Sequence, residues 1–207
     1  MLPLFPLNLV IFPESAVPLH IFEERYRNLI NDCIESQSDF GINLVLSGKI
    51  QKIGCSARVV DIVKRYPNGQ MDIIVRGIKK YKLIDSKLSE RLYLLGEVEY
   101  IEEEIEYPDI NLLEQCIELY NKIAEEVSSL RLQKVDSSMF YSLIPSYFFA
   151  QKVGLSKQQK YDLLKLENES ERLSFLLGHL KEVEPMLHES EIIKKLIQGD
   201  GYAKQFR

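Results

Sequence analysis

Four prolines stand at positions 3, 6, 13 and 18, set among large apolar side chains. Each fixes its own φ and lacks an amide donor. None can sit inside a helix, and in a sheet each is confined to an edge, a strand start or a bulge. Residues 2–7 and 17–21 are therefore predicted as short extended segments. The stretch 8–12 between them can pair only until Pro13 interrupts it. From Phe22 the apolar period changes from two to 3.6, as expected of an α-helix. Phe22, Tyr26, Leu29, Ile30, Cys33 and Ile34 fall on one helical face, and Glu23 and Arg27 have the spacing of an i,i+4 ion pair.

The next segments read as strands. Residues 40–46 (FGINLVL) are β-like and end at Ser47-Gly48. Residues 53–65 alternate imperfectly, and Pro67-Asn68-Gly69 is a turn signal because Asn and Gly tolerate positive φ. Residues 71–76 return as the second arm of a hairpin, with Gly77 expected to break or bulge it. Residues 81–84 and 93–100 add two more strands. Several short strands joined by tight turns imply a small barrel or sandwich.

Composition shifts at Ile101. Glu102, Glu103, Glu104 and Glu106, followed by Pro108, form an acidic connector, and the rest reads as helical. Asp109 is placed to cap a helix that buries Leu113, Cys116, Ile117, Tyr120, Ala124 and Val127. A second helical piece spans 137–153, broken at Pro145 and ended by Gly154. Ser156 with Gln159 has capping-box spacing, and Asn168 with Glu171 repeats it at the head of a helix over 169–183. Pro185 kinks or stops that helix, 192–197 is a last short helix, and 199–207 is a tail. The expected architecture is α+β: a β-rich lobe with one helix over 1–107, then a helical lobe over 108–207.

A chain of 207 residues with 45% hydrophobic and 28% charged residues has ordinary globular composition. Its net charge of −5 gives no general attraction for nucleic acid or anionic lipid. No apolar run has the length of a membrane span, so no membrane partner is expected. The apolar amino terminus has no basic n-region, against a secretory signal. Cys33, Cys55 and Cys116 are odd in number and widely spaced, which fits free thiols in a reducing cytoplasm.

Catalytic and metal signatures are missing. Gly48-Lys49 is followed by Ile50 and has no earlier glycine, so it is no phosphate-binding loop. His20, His179 and His188 lack ligand spacing and no CxxC occurs, so no metal and no cofactor are expected. Cys55 has no neighbouring histidine to make it a nucleophile. Two groups merit weighing as binding surfaces. Lys64, Arg65, Tyr66, Arg76, Lys79, Lys80, Tyr81 and Lys82 interleave cations with aromatics, either as a nucleic-acid face or as a solvated sheet face. Phe140, Tyr141, Tyr147, Phe148 and Phe149 are the densest aromatic group, either core or partly exposed.

Leu-Pro-Leu-Phe-Pro-Leu (2–7), Phe12-Pro13, Pro18-Leu19-His20-Ile21-Phe22-Glu23 and Arg25-Tyr26 together resemble the opening of the Lon protease amino-terminal, substrate-binding domain. Gly54 to Val60, the Pro-Asn-Gly turn and Gly77 to Leu83 are similar to that family's next blocks. Gln158, Asp162-Leu163-Leu164 and Glu171-Arg172-Leu173 match its helical half more loosely. Glu14 departs from the pattern, because a glycine usually follows Phe-Pro there. The resemblance implies a PUA-like pseudo-barrel followed by helices, without the ATPase and protease modules, as a stand-alone member. It implies non-catalytic recognition of unfolded or tagged polypeptide, delivered or sequestered alone or with a protease or chaperone partner. Phe140, Tyr147 and Phe148 are the candidate peptide contacts. The alternative is an RNA-binding PUA-like module using the basic hairpin 64–82.

Overall fold

Pro18 lies in an edge strand of the sheet, whereas Pro3 and Pro6 lie in a strand that has a partner on each side. In the computed structural model, which describes residues 1–103, 108–126, 132–140 and 144–186, β1 (Leu2–Leu7) and β2 (Ala16–Ile21) are short strands either side of an irregular loop. They are followed by α1 (Glu24–Ser36), β3 (Phe40–Leu46), β4 (Lys49–Arg65), β5 (Met71–Leu88) and β6 (Leu94–Tyr100). The strand order is β2-β5-β4-β3-β1-β6, and β6 pairs back onto β5. Five strands thus close a ring, and β2 lies outside it on the first half of β5. All the pairings are antiparallel except β1 with β3, whose crossover carries β2 and α1. This is the expected α+β arrangement, a pseudo-barrel with one helix followed by helices.

The chain divides into two compact units, Met1–Glu102 and Glu103–Arg207. Inside the first, Leu2, Leu4 and Tyr81 fill the ring, with Leu83, Leu94 and Val98 against them. The Tyr81 hydroxyl donates to Asn43 Oδ1 in this buried space. Gly41 makes room for it, since a Cβ there would lie 2.3 Å from the Tyr81 oxygen. A second, larger cluster joins the α1 face of Tyr26, Leu29, Ile30 and Cys33 to Val17, Leu19 and Ile21 of β2 and Ile73 and Val75 of β5.

Four local expectations change. Phe22 lies ahead of α1, not on its buried face, and is 58% exposed. Glu23 is the helix's N-cap with extended backbone, so it meets Arg25 at 2.8 Å instead of Arg27. Arg27 donates to the Asn68 carbonyl in the β4–β5 turn. Residues 71–88 form one strand: Gly77 marks a bulge, not a break, since Ala57 pairs with Gly77 but Cys55 with Lys80. There the loop after β1 crosses so closely that a Cβ would come within 2.0 Å of the Phe12 carbonyl oxygen. Pro145, expected to break a helix, opens one instead, at its first turn, where a missing N–H costs nothing.

The second unit contains α2 (Ile110–Glu126), a short 3₁₀ turn (Ser137–Phe140), α3 (Pro145–Lys152), α4 (Lys157–Lys165) and α5 (Glu169–Val183), with a final 3₁₀ turn at Glu184–Met186. Asp109 caps α2 by accepting from the N–H groups of Asn111 and Leu112. Ser156 and Gln159 form the reciprocal capping box at α4. At α5 Asn168 accepts from the Glu171 N–H. The helix expected at 192–197, the tail, Tyr141 and His188 lie outside the described residues.

Candidate functional site

The edge of β2 follows from its register. Ala16 pairs with Arg76, Pro18 with Ile74 and His20 with Asp72. One step earlier, the Gly77 N–H donates to the Ser15 carbonyl at 2.9 Å. Hydrogen-bonded pairs alternate along an antiparallel ladder. Val17, Leu19 and Ile21 therefore aim their backbone groups at β5, while Ala16, Pro18 and His20 turn theirs outward. Pro18 occupies an outward position, where its lack of an N–H removes no ladder bond. Among the described residues no strand pairs with this outer edge.

Side chains obey the same alternation. Val17, Leu19 and Ile21 are buried, whereas Ala16 and His20 are exposed. Phe22 continues the exposed series and its ring stacks on His20, with centroids 6.0 Å apart. Tyr66, beyond the end of β4, meets His20 edge-on at 5.9 Å. Asp72 holds both, 2.6 Å from His20 Nδ1 and accepting from the Tyr66 hydroxyl at 2.7 Å. The hydrogen bond with His20 holds the Asp72 carboxyl below its ordinary range, with a smaller contribution from Tyr66. The same bond to Asp72 pushes the Tyr66 hydroxyl up. At the other end of β2, Arg76 lies across from Ala16 and directly opposite Arg58 of β4. Arg58 is neutralised by Asp39 at 2.6 Å, while Arg76 has Glu14 at 3.9 Å.

The outer half of the β4–β5 hairpin adds apolar surface. Val59 pairs with Val75 and Asp61 with Ile74, so Val60 is an extra residue in a bulge. Val63 is another, between Ile62 and Lys64, and Ile84 a third, where β5 meets β6. All three are exposed. Bulges twist a free edge away from uncontrolled pairing. They also account for the imperfect alternation of residues 53–65.

The residues singled out in the helical half are placed differently. Phe140 and Tyr147 are buried, at 8% and 2% exposure. Phe140 and Phe148 stack edge-to-face with centroids 5.4 Å apart, and Phe149 packs against both. Phe148 is half-buried, and Lys152 Nζ lies 5.5 Å from its ring centroid. Tyr147 belongs to a buried polar network instead. Its hydroxyl donates to Glu103, which also accepts from Arg172 at 2.9 Å. Arg172 reaches Glu169 and Ser146, each at 3.0 Å. Glu169 accepts from the Ser146 N–H and hydroxyl at 2.8 and 2.6 Å, supplying the α3 N-terminus with the cap its own N-cap residue, Ile144, lacks. Burial pushes the Glu169 carboxyl up. Every member is satisfied by another, so the network reads as structural.

Residues of the basic hairpin also find partners. Lys79 meets Glu102 at 3.1 Å, Lys82 lies across from Glu99, and Lys64 sits over the Tyr66 ring at 4.5 Å. Lys80 is buried. The three cysteines are free and buried, and burial pushes the Cys116 thiol up to about 12. His179 bonds the Val153 carbonyl at 2.8 Å. No helix among the described residues is long and apolar enough to cross a membrane. Sequence reasoning missed His20, Phe22, Asp72 and Arg76 as a group. The parity of Ala16, Pro18, His20 and Phe22 was visible, but which parity faces outward depends on the partner strand.

Comparison with known proteins agrees with this fold. A Lon protease from Halothermothrix orenii is 27% identical over 204 residues, covering 90% of this chain and 24% of that protein. One from Brevibacillus choshinensis is 26% identical over 222 residues, covering 99% and 27%. The chain thus spans about a quarter of the length of these relatives. The crystal structure of a Lon N-terminal domain protein from Xanthomonas campestris superposes with a TM-score of 0.68 at 24% identity, covering 86% of this chain and 96% of that one. The N-terminal domain of Mycobacterium avium complex Lon protease gives 0.64 at 19% identity, covering 87% and 98%. The profile of the ATP-dependent protease La (LON) substrate-binding domain matches residues 1–182, and the chain belongs to that family.

Proposed function

We propose that this chain is a non-catalytic module that binds extended segments of unfolded or tagged polypeptide in the cytoplasm and delivers or sequesters them, alone or with a protease or chaperone. The observation that carries this reading is the outer edge of β2. It offers outward backbone groups at Ala16, Pro18 and His20 beside the exposed ring of Phe22. An extended chain can add to such an edge, drawing affinity from main-chain bonds and selectivity from alternate side chains. In the helical unit, the proposed contact narrows to Phe148, with buried Phe140 beneath its ring and Tyr147 held in the polar network.

With Lys79 paired to Glu102 and Lys80 buried, the β4–β5 hairpin presents fewer free cations than an RNA face would, which favours polypeptide. An RNA face needs cations free to displace counterions from phosphate, and such binding weakens steeply with salt. The test is binding of a labelled, permanently unfolded protein and of single-stranded RNA across a salt series. The expected result is retention of the unfolded protein with shallow salt dependence, and no binding of its native form. Steeply salt-dependent RNA binding without affinity for unfolded protein would overturn the reading. Neither ATP nor the bound polypeptide should be hydrolysed.

A further inference from the structure

The two ends of the β2 edge differ in chemistry. At the His20 end, the His20–Phe22 stack presents an aromatic platform, and Asp72 and Tyr66 fix the imidazole beneath it. At the Ala16 end lies Arg76, whose side chain is 54% exposed. Arg76 stands directly opposite Arg58, and like charges facing each other across a ladder repel. Arg58 is held by Asp39, whereas the Glu14 carboxylate approaches Arg76 only to 3.9 Å, with both side chains half-exposed. An ion pair so placed is weak and readily exchanged. Ala16, the β2 residue paired with Arg76, carries only a methyl group, so its side chain is too short to hold the guanidinium back from the edge.

We infer that the β2 edge selects extended segments in which an aromatic or large apolar residue is followed, four positions later, by an acidic residue. This inference rests on the proposed polypeptide binding and adds its substrate class. A segment antiparallel to β2 would place the apolar residue opposite His20, against Phe22, and the acidic residue opposite Ala16, within reach of Arg76. The spacing is that of Ala16 and His20, about 14 Å along an extended chain. Glu14 is the internal competitor for Arg76. Its φ of +61° places it in the left-handed region, where a glycine would be unstrained. Its carboxylate stands where the substrate's would.

The experiment measures anisotropy of labelled Thr- and Val-rich peptides with Phe and, four residues later, Glu, Gln or Lys, against the full chain. Wild type should bind the Glu peptide about fivefold more tightly than the Gln peptide, and the Lys peptide least. Arg76→Glu should reverse that order, and Glu14→Gly should tighten the Glu peptide while raising the melting temperature. Ala16→Pro removes an outward N–H and should weaken all three peptides alike. Circular dichroism confirms that each variant is folded, and the peptide series on wild type decides the matter if one is not. Equal binding of the three peptides by wild type, or an unchanged order in Arg76→Glu, would overturn the inference. If unfolded protein is still retained in that case, polypeptide binding stands and the edge selectivity falls. If neither peptides nor unfolded protein bind, both fall.

Discussion

Gly77 shows how one residue fixes the wall of the ring. The Phe12 carbonyl packs where its side chain would be, and Glu14 and Ser15 exchange backbone hydrogen bonds with it on either side. Gly77→Ala should therefore displace the loop after β1 and cost about 3 kcal/mol or more, seen as a lower urea midpoint. The aromatic pair Phe140 and Phe148 separates packing from surface. Phe140→Ala should cost roughly 3–5 kcal/mol, while Phe148→Ala should cost clearly less and weaken binding of unfolded protein. Asp72 gives a pH signature. Its folded-state carboxyl titrates below the ordinary value of 3.8, chiefly because His20 bonds it. An acid with a depressed folded value contributes stability above its unfolded value and loses it as pH falls through the folded one. The acid limb of the stability curve below about pH 4 should be shallower in Asp72→Asn, measured by urea unfolding at stepped pH.

Single helices and strands here owe their limits to a few local devices. The α4 start is closed by reciprocal bonds between Ser156 and Gln159, and Ser156→Ala should cost about 1 kcal/mol in melting experiments. By contrast α3 has no cap of its own and takes one from Glu169 of α5. Its stability is therefore tertiary, and a helix of eight residues is marginal alone. The long strands β4 and β5 are interrupted by bulges, and the extra residues Val60, Val63 and Ile84 are turned to solvent. The same interruptions hide the strand period from a reader of the sequence.

At the scale of the molecule, Met1–Glu102 holds its own closed ring and apolar clusters. A fragment of residues 1–103 should therefore unfold cooperatively by itself, with a single thermal transition in circular dichroism and near-ultraviolet signals. Loss of cooperativity in that fragment would show that its core depends on the second unit. Membership of the substrate-binding family rests on most of the chain, residues 1–182, instead of on one motif.

Local chemistry was enough for much of this. Prolines confined residues 2–7 and 17–21 to short strands, Pro67-Asn68-Gly69 turned the hairpin, and Asp109, Ser156 and Asn168 started helices, because each acts through its own backbone or the next turn. Tertiary structure alone decided what lies across from what. Gly77 reads equally as a break or a bulge until the Phe12 carbonyl is seen against it. Phe22 fits a helical face until Glu23 is seen to cap the helix one residue later. Phe140 and Tyr147 are rings of undetermined side until their neighbours bury them. Which parity of β2 faces outward is a property of its pairing with β5, and a period of two cannot name its own face without the partner strand.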